Sequence, residues 1–288
     1  MNLSEKWFEL YESLYGIQFN KIATIGTFKE GYENYPIKSL EDLREICEKN
    51  YPKNEIYVSL YDYNTDDLAI KWDPLEGSKF EKYAKKDCIF FRFRQNIDII
   101  REEINELNEI QRFMFIRRTL NLGNNHKIID ETKIVYNTIK SLFNIDSWVL
   151  YNGFNECCLY VFTNELKLKK PTLTYYYFYK FIENYTNVET LTYSQIDPFS
   201  QLVSLPGSQN SNTRLYTKPY DIEFKYEEVI KNSENRILES FDLKKNQDTH
   251  ILEDLLKTVD DEITKCLAEG RTNTWDYNLD ALFNEQRE

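Results

Sequence analysis

The chain has 288 residues, room for one large domain or for one domain with an appendage. Its 41% hydrophobic residues can fill a sizeable core, and 29% charged residues with frequent aromatics exclude a disordered chain. A net charge of -12 excludes indiscriminate nucleic-acid binding over the whole surface but leaves room for a local basic patch.

Residues 1–15 form an amphipathic helix pattern, with Ser4 as a candidate cap and Trp7, Phe8, Tyr11, Leu14 and Tyr15 as its apolar face. A second helix is expected over 39–50, ended by Tyr51-Pro52. Ile56, Val58 and Leu60 alternate as one face of a strand. Residues 64–87 are polar and irregular. From Cys88 to Arg94 the pattern alternates again, with Ile89, Phe91 and Phe93 on one face and Phe90, Arg92 and Arg94 on the other. A long helix is expected over 97–122 and another over 129–143. Two strands, near 147–151 and 157–163, flank a turn at Asn152-Gly153. Residues 172–185 are an aromatic-rich helix. A strand near 201–205 runs into Leu205-Pro206-Gly207-Ser208 and a polar loop to Thr213.

After about residue 225 the pattern becomes helical, over 226–241 and again from Asp248 or Thr249 to Gly270. The second helix puts Ile251, Leu252, Leu255, Leu256, Val259, Ile263 and Leu267 on one face. The expected division is therefore 1–225, an α/β (α+β) domain, and 226–288, a helical region with an acidic tail. In that tail Trp275, Leu279, Leu282 and Phe283 fall at helical spacing among Asp276, Asp280 and Glu285. Such a segment either docks into a groove on a partner protein or packs back on its own domain.

Five cysteines, an odd number with no CxxC spacing, give neither a disulfide framework nor a zinc site. Adjacent Cys157 and Cys158 point to opposite faces of a strand and read as small core residues. No run of about 18 apolar residues offers a membrane span, and the N-terminus lacks a signal-peptide core. A reducing, cytoplasmic setting is expected. Asp62, Asp66 and Asp67 read as a solvated turn, His126 as exposed and His250 as lying at a helix start. Arg112, Arg117 and Arg118, like Lys167, Lys169 and Lys170, are a solvated face or part of a basic patch.

Two segments carry a resemblance. Ser204-Leu205-Pro206-Gly207-Ser208-Gln209-Asn210-Ser211-Asn212-Thr213-Arg214-Leu215, followed by Lys218-Pro219, resembles the R-L-P-x-S-L-H-x-K-T-G-L segment of the archaeo-eukaryotic primase superfamily, the small primase subunits and primase-polymerases. The stretch from Trp148 to Val161 is similar to that family's strand–turn–strand, with its S-G-x-G-x-H run. Tyr57-Val58-Ser59-Leu60-Tyr61 and Cys88–Arg94 stand where the family has the strand before, and the strand bearing, its metal-binding D-x-D. The resemblance spans roughly residues 40–222. It implies a primase-type catalytic-domain fold, a mixed sheet flanked by helices.

At the positions that perform chemistry the chain departs from the family. The two metal-binding aspartates correspond to Arg92 and Arg94, whose guanidinium groups would repel Mg²⁺, a cation that prefers hard oxygen ligands. The motif histidine corresponds to Cys158, the arginine before Leu-Pro to Ser204, and the next histidine to Asn210. Counting back at family spacing from Pro206 places the third aspartate at Thr192. The resemblance thus implies a noncatalytic relative, similar to the primase subunit X of some archaea, with no cofactor. Its expected partners are primase or other replication subunits, with a DNA or RNA primer-template as a further one. Residues implied at a nucleic-acid or phosphate contact are Arg92, Arg94, Ser208, Asn210, Arg214 and Lys218. Arg92 and Arg94 have a second reading, pairing with Glu156 or another acid on a neighbouring strand.

The competing reading is an active, divergent primase-polymerase using Mg²⁺ or Mn²⁺, its metal site rebuilt from Asp62, Asp87, Glu156 or Asp197. Its requirement is geometric: at least two carboxylates about 3–5 Å apart. An unrelated α/β interaction protein is the third.

Overall fold

The computed structural model describes residues 4–27, 31–50, 55–63, 83–95, 108, 111, 114–115, 125–192 and 202–270. Most of the helix expected over 97–122 and all of the acidic tail with Trp275, Leu279, Leu282 and Phe283 lie outside the described residues, as do Asp66, Asp67, Arg112, Arg117, Arg118 and Asp197.

Helix α1 (Glu5–Tyr15) forms because an apolar residue recurs at each turn, and Gly16 at φ 82 stops it. Ser4 precedes it but makes no side-chain cap. Helix α2 (Leu40–Asn50) is better capped: the Asp42 amide donates to Ser39 Oγ at 3.1 Å, and Asp42 Oδ2 accepts from the Lys38 amide at 2.8 Å. Between these helices lies a hairpin the sequence pattern did not announce, β1 (Gln18–Thr27) and β2 (Gly31–Ser39). Pro36 is tolerated in β2 because β2 is an edge strand.

The expected strands are present as β3 (Glu55–Ser59), β4 (Cys88–Arg94), β5 (Trp148–Tyr151), β6 (Glu156–Phe162) and β8 (Leu202–Ser204). Two two-residue strands complete the set, β7 (Leu191–Thr192) and β9 (Lys218–Pro219). Helices α3 (Asn125–Phe143) and α4 (Pro171–Thr186) cover the expected ranges. Helix α5 (Tyr226–Ser233) is half the expected length, because the chain turns at Asn235, whose Oδ1 accepts from the Ile237 amide. Helix α6 (His250–Ala268) ends before Gly270, at φ 67.

The class is α+β, as expected. The strands fall into two sheets, β2-β1-β3-β8 and β7-β4-β6-β5-β9, and every described pairing is antiparallel, so no single mixed sheet forms. The chain passes from the second sheet to the first between β7 and β8, and returns between β8 and β9. One continuous apolar core runs from Trp7 and Tyr11 through Phe91 and Phe178 to Val259 and Ile263. No described helix is long and apolar enough to cross a membrane.

Helix α6 departs from its expected face. Ile251 and Leu267 are exposed, while two acids, Glu253 and Asp260, are buried. Both acids receive the chain leading from β6 into α4. Glu253 Oε1 accepts from the amide and side chain of Asn164, and Asp260 accepts from the Lys169 and Lys170 amides and from Thr174 Oγ1. A carboxylate beside the α4 N-terminus satisfies free amides and opposes the positive end of the helix dipole.

Candidate functional site

The site is the surface where the C-terminal end of β4 meets β6 and β7. Residues directly opposite in an antiparallel pair share a face, with Cβ atoms about 4.5–5.5 Å apart. Arg92 on β4 stands opposite Cys158 on β6 and opposite Thr192 on β7. Cys158 in turn faces Leu150, and Leu150 faces Pro219. The row Thr192–Arg92–Cys158–Leu150–Pro219 therefore runs straight across five strands. Three of its members are the positions that the primase resemblance matched to chemistry, separated by 66 residues of sequence from Arg92 to Cys158 and 34 from Cys158 to Thr192. In the next row Arg94 stands opposite Glu156.

Arg92 is an internal group. Its side chain is 16% exposed, its Nε lies 3.3 Å from Glu156 Oε1, and its Nη2 donates to the Leu202 carbonyl at 2.8 Å. Its guanidinium carbon sits 5.4 Å from the centre of the Phe90 ring. Burial works against the charge, yet Glu156 and the groups beside it hold the Arg92 pKa above its ordinary value. The sequence alternative in which Arg92 pairs with Glu156 is thus the arrangement found. Thr192 Oγ1 donates to the Arg92 carbonyl at 3.0 Å, and Cys158 Sγ lies 3.4 Å from Glu156 Oε1. Burial, with Glu156 next, pushes the Cys158 thiol well up, so it stays protonated. Arg94 is exposed.

The two resembling segments touch. Gly153, at φ 79, lies so close to the 205–218 loop that an added Cβ would be 2.8 Å from the Leu215 carbonyl oxygen. Thr213 Oγ1 donates to the Gly153 carbonyl at 2.6 Å. Gly207, at φ 84, packs under the Trp7 ring, and Tyr11 OH donates to the Pro206 carbonyl at 2.5 Å. Replacing Gly153 with Ala combines a disfavoured positive φ with a backbone clash. A loss of about 1–3 kcal/mol is expected, read as a lower urea midpoint at unchanged m-value.

Of the loop residues, Ser208 is buried, its amide donating to the Leu205 carbonyl and its carbonyl accepting from the Thr217 amide. Asn210 Oδ1 accepts from the Asn212 and Thr213 amides at 3.1 Å and so shapes the turn. Lys218 is 2% exposed, and its ammonium caps the Asn232 and Ile237 carbonyls at 2.9 and 2.7 Å. Arg214 is exposed at the loop tip, at φ 59.

The fallback carboxylates separate. Asp87 precedes β4 and Glu156 pairs with its last residue, so the two stand at opposite ends of the ladder, about 20 Å apart at about 3.3 Å per residue. Asp62 accepts from the Asn20 amide at 2.5 Å. Among the described residues no group of three or more His, Cys, Asp or Glu could hold a metal ion. The Arg92 seat does not fit Mg²⁺ or Mn²⁺: it offers one carboxylate, already paired with a guanidinium, beside a protonated thiol.

Sequence reasoning missed Leu202, whose backbone carbonyl bonds Arg92, because no side-chain pattern marks a carbonyl. It also missed Lys21, 4% exposed, whose ammonium donates to the Ser59 and Leu60 carbonyls near the other end of β4.

No protein-family model matches the chain, and no curated protein matches it. Among solved structures, it is similar to the AEP domain of the primase-polymerase of cyanophage S-2L, with 11% identity, TM-score 0.42, and 81% of this chain and 100% of that one covered. It is similar to the primase RepB′, with 7% identity, TM-score 0.49, and 92% of this chain and 66% of that one covered. It is similar also to the polymerase domain of Mycobacterium tuberculosis Ligase D, solved in complex with DNA, with 11% identity, TM-score 0.43, and 79% and 86% covered. At these identities and scores the likenesses assign the chain neither an activity nor a family.

Proposed function

We infer that the chain is a noncatalytic, primase-fold accessory protein of a DNA-replication complex, binding a partner subunit and helping to hold a template or primer. One observation carries this reading. Arg92 and Cys158, matched to catalytic positions by the motif resemblance, and Thr192, matched by spacing, stand in one row across three adjoining strands. A chance match of Leu-Pro-Gly-Ser gives no reason for the other motif positions to meet. Within that row the place of a metal-binding carboxylate is taken by a guanidinium paired with Glu156. Arg94 and Arg214, the exposed cations of the set, are the proposed phosphate contacts. The apolar residues of the acidic tail, Trp275, Leu279, Leu282 and Phe283, are the proposed partner contact.

The test is primer synthesis and extension with Mg²⁺ and with Mn²⁺, by the purified chain alone and mixed with catalytic primase subunits. The expected result is no product alone and a raised yield in the mixture. Product from the chain alone, abolished by Asp197→Ala or Glu156→Ala, establishes instead the active, divergent primase-polymerase.

A further inference from the structure

Two short edge strands, one from each sheet, meet at one residue. Strand β7, two residues long, is one edge of the second sheet, and β8, three residues long, is one edge of the first. Arg92 holds both. Its backbone pairs with Thr192 and accepts the Thr192 hydroxyl, and its guanidinium reaches the Leu202 carbonyl at the start of β8. Strands this short have little stability of their own. The guanidinium meanwhile lies against the buried carboxylate of Glu156 on β6.

We propose that Arg92 is a tethered cation that pins the two sheets together, bridging Glu156 of the second sheet and Leu202 of the first, and thereby positions the 205–218 loop. The pin is a positioning device independent of whether the chain is a primase relative. Two properties of the guanidinium make it suitable. It donates from several nitrogens at once, so one group can address a carboxylate and a carbonyl in different directions. It also keeps its charge when buried, whereas a buried lysine readily loses its proton. Glu156 fixes the cation in place, and the Leu202 carbonyl receives a guanidinium hydrogen bond that crosses between the sheets. The chain re-enters the first sheet at that carbonyl, three residues before Leu205.

The probe is amide hydrogen exchange in the full chain. The Leu205 amide, which donates to the Ile56 carbonyl at 2.8 Å, reports on β8. The Thr163 amide, which donates to the Asp87 carbonyl at 3.0 Å, reports on the far end of the β4–β6 ladder. Arg92→Ala is expected to speed Leu205 exchange by at least ~10-fold and Thr163 exchange by less than ~2-fold, a local opening rather than a global one. Millimolar methylguanidinium should restore Leu205 protection in R92A but not in R92A combined with Glu156→Gln. Methylammonium should restore neither.

Equal acceleration of both amides, or no rescue by methylguanidinium, overturns the proposal. Should R92A fail to fold, Arg92→Lys replaces it. A lysine there keeps the charge without spanning both partners, so wild-type Leu205 exchange in R92K overturns the proposal as well. None of these outcomes depends on primer synthesis.

Discussion

Raising the pH from 7.5 to 9.5 is expected to lower the stability of the protein by about 1–2 kcal/mol. The cause is a set of buried thiols. Burial pushes Cys47 and Cys157 up to about 12, and Cys88 and Cys158 further still, from an ordinary 9.0. In this pH range the folded chain keeps those protons and the unfolded chain releases them. The folded state binds more protons, so stability falls as pH rises. The four thiols together account for about 3 kcal/mol by pH 9.5. Buried phenols act in the same direction, Tyr61, Tyr160, Tyr175 and Tyr220 all being held well above their ordinary value by burial.

Lys21 opposes them. Burial lowers its pKa from 10.5 to about 8, so above pH 8 the unfolded state binds the extra proton and stability rises by about 2 kcal/mol by pH 9.5. A neutral amine still has two hydrogens for the Ser59 and Leu60 carbonyls. Urea midpoints at pH 7.5, 8.5 and 9.5 in reducing buffer check the result. Cys88→Ala should flatten the decline and Lys21→Met should steepen it. A midpoint that does not move with pH would show that the thiols ionise without unfolding the chain.

Asp260→Ala is expected to cost about 3–5 kcal/mol, because it removes a buried acceptor from three donors at once. The Lys169 and Lys170 amides, each 2.7 Å from an Asp260 oxygen, lose that acceptor, and the Thr174 hydroxyl, 3.0 Å from Asp260, is left with the Lys170 carbonyl. Asp260→Asn retains one acceptor oxygen and should fall between the two. The measurement is the urea midpoint with the m-value. Loss of helical circular dichroism confined to a fraction of the signal, at an unchanged midpoint, would mean that α4 detaches alone and that the clamp is local.

The fold was legible where side-chain periodicity carried it. Alternation placed β4 and β6, and the count back from Pro206 found Thr192, which the structure sets directly opposite Arg92. The hairpin of β1 and β2 was not legible, because Gly31 and Pro36 break the pattern and a bulge between Gln18 and Lys21 shifts the register. The inner face of α6 was misread for a different reason. Glu253 and Asp260 look like solvent residues until their donors, half of them backbone amides of a segment distant in sequence, are known. The site divides in the same way. The pairing of Arg92 with Glu156 was one of two readings open from residue types, whereas no side-chain pattern marks its bond to the Leu202 carbonyl.

Helix α1 has a consequence for synthesis on the ribosome. Its two most buried aromatics donate to late parts of the chain, Tyr11 to the Pro206 carbonyl and Trp7 to the Arg236 carbonyl. At about 5–20 residues per second, some 10–40 s pass between the emergence of Tyr11 and that of its acceptor. For that interval the apolar face of α1 waits without its final cover, so contacts of long sequence separation gate the last step of folding. The burial of α1 is therefore completed only once the 205–236 segment has been made.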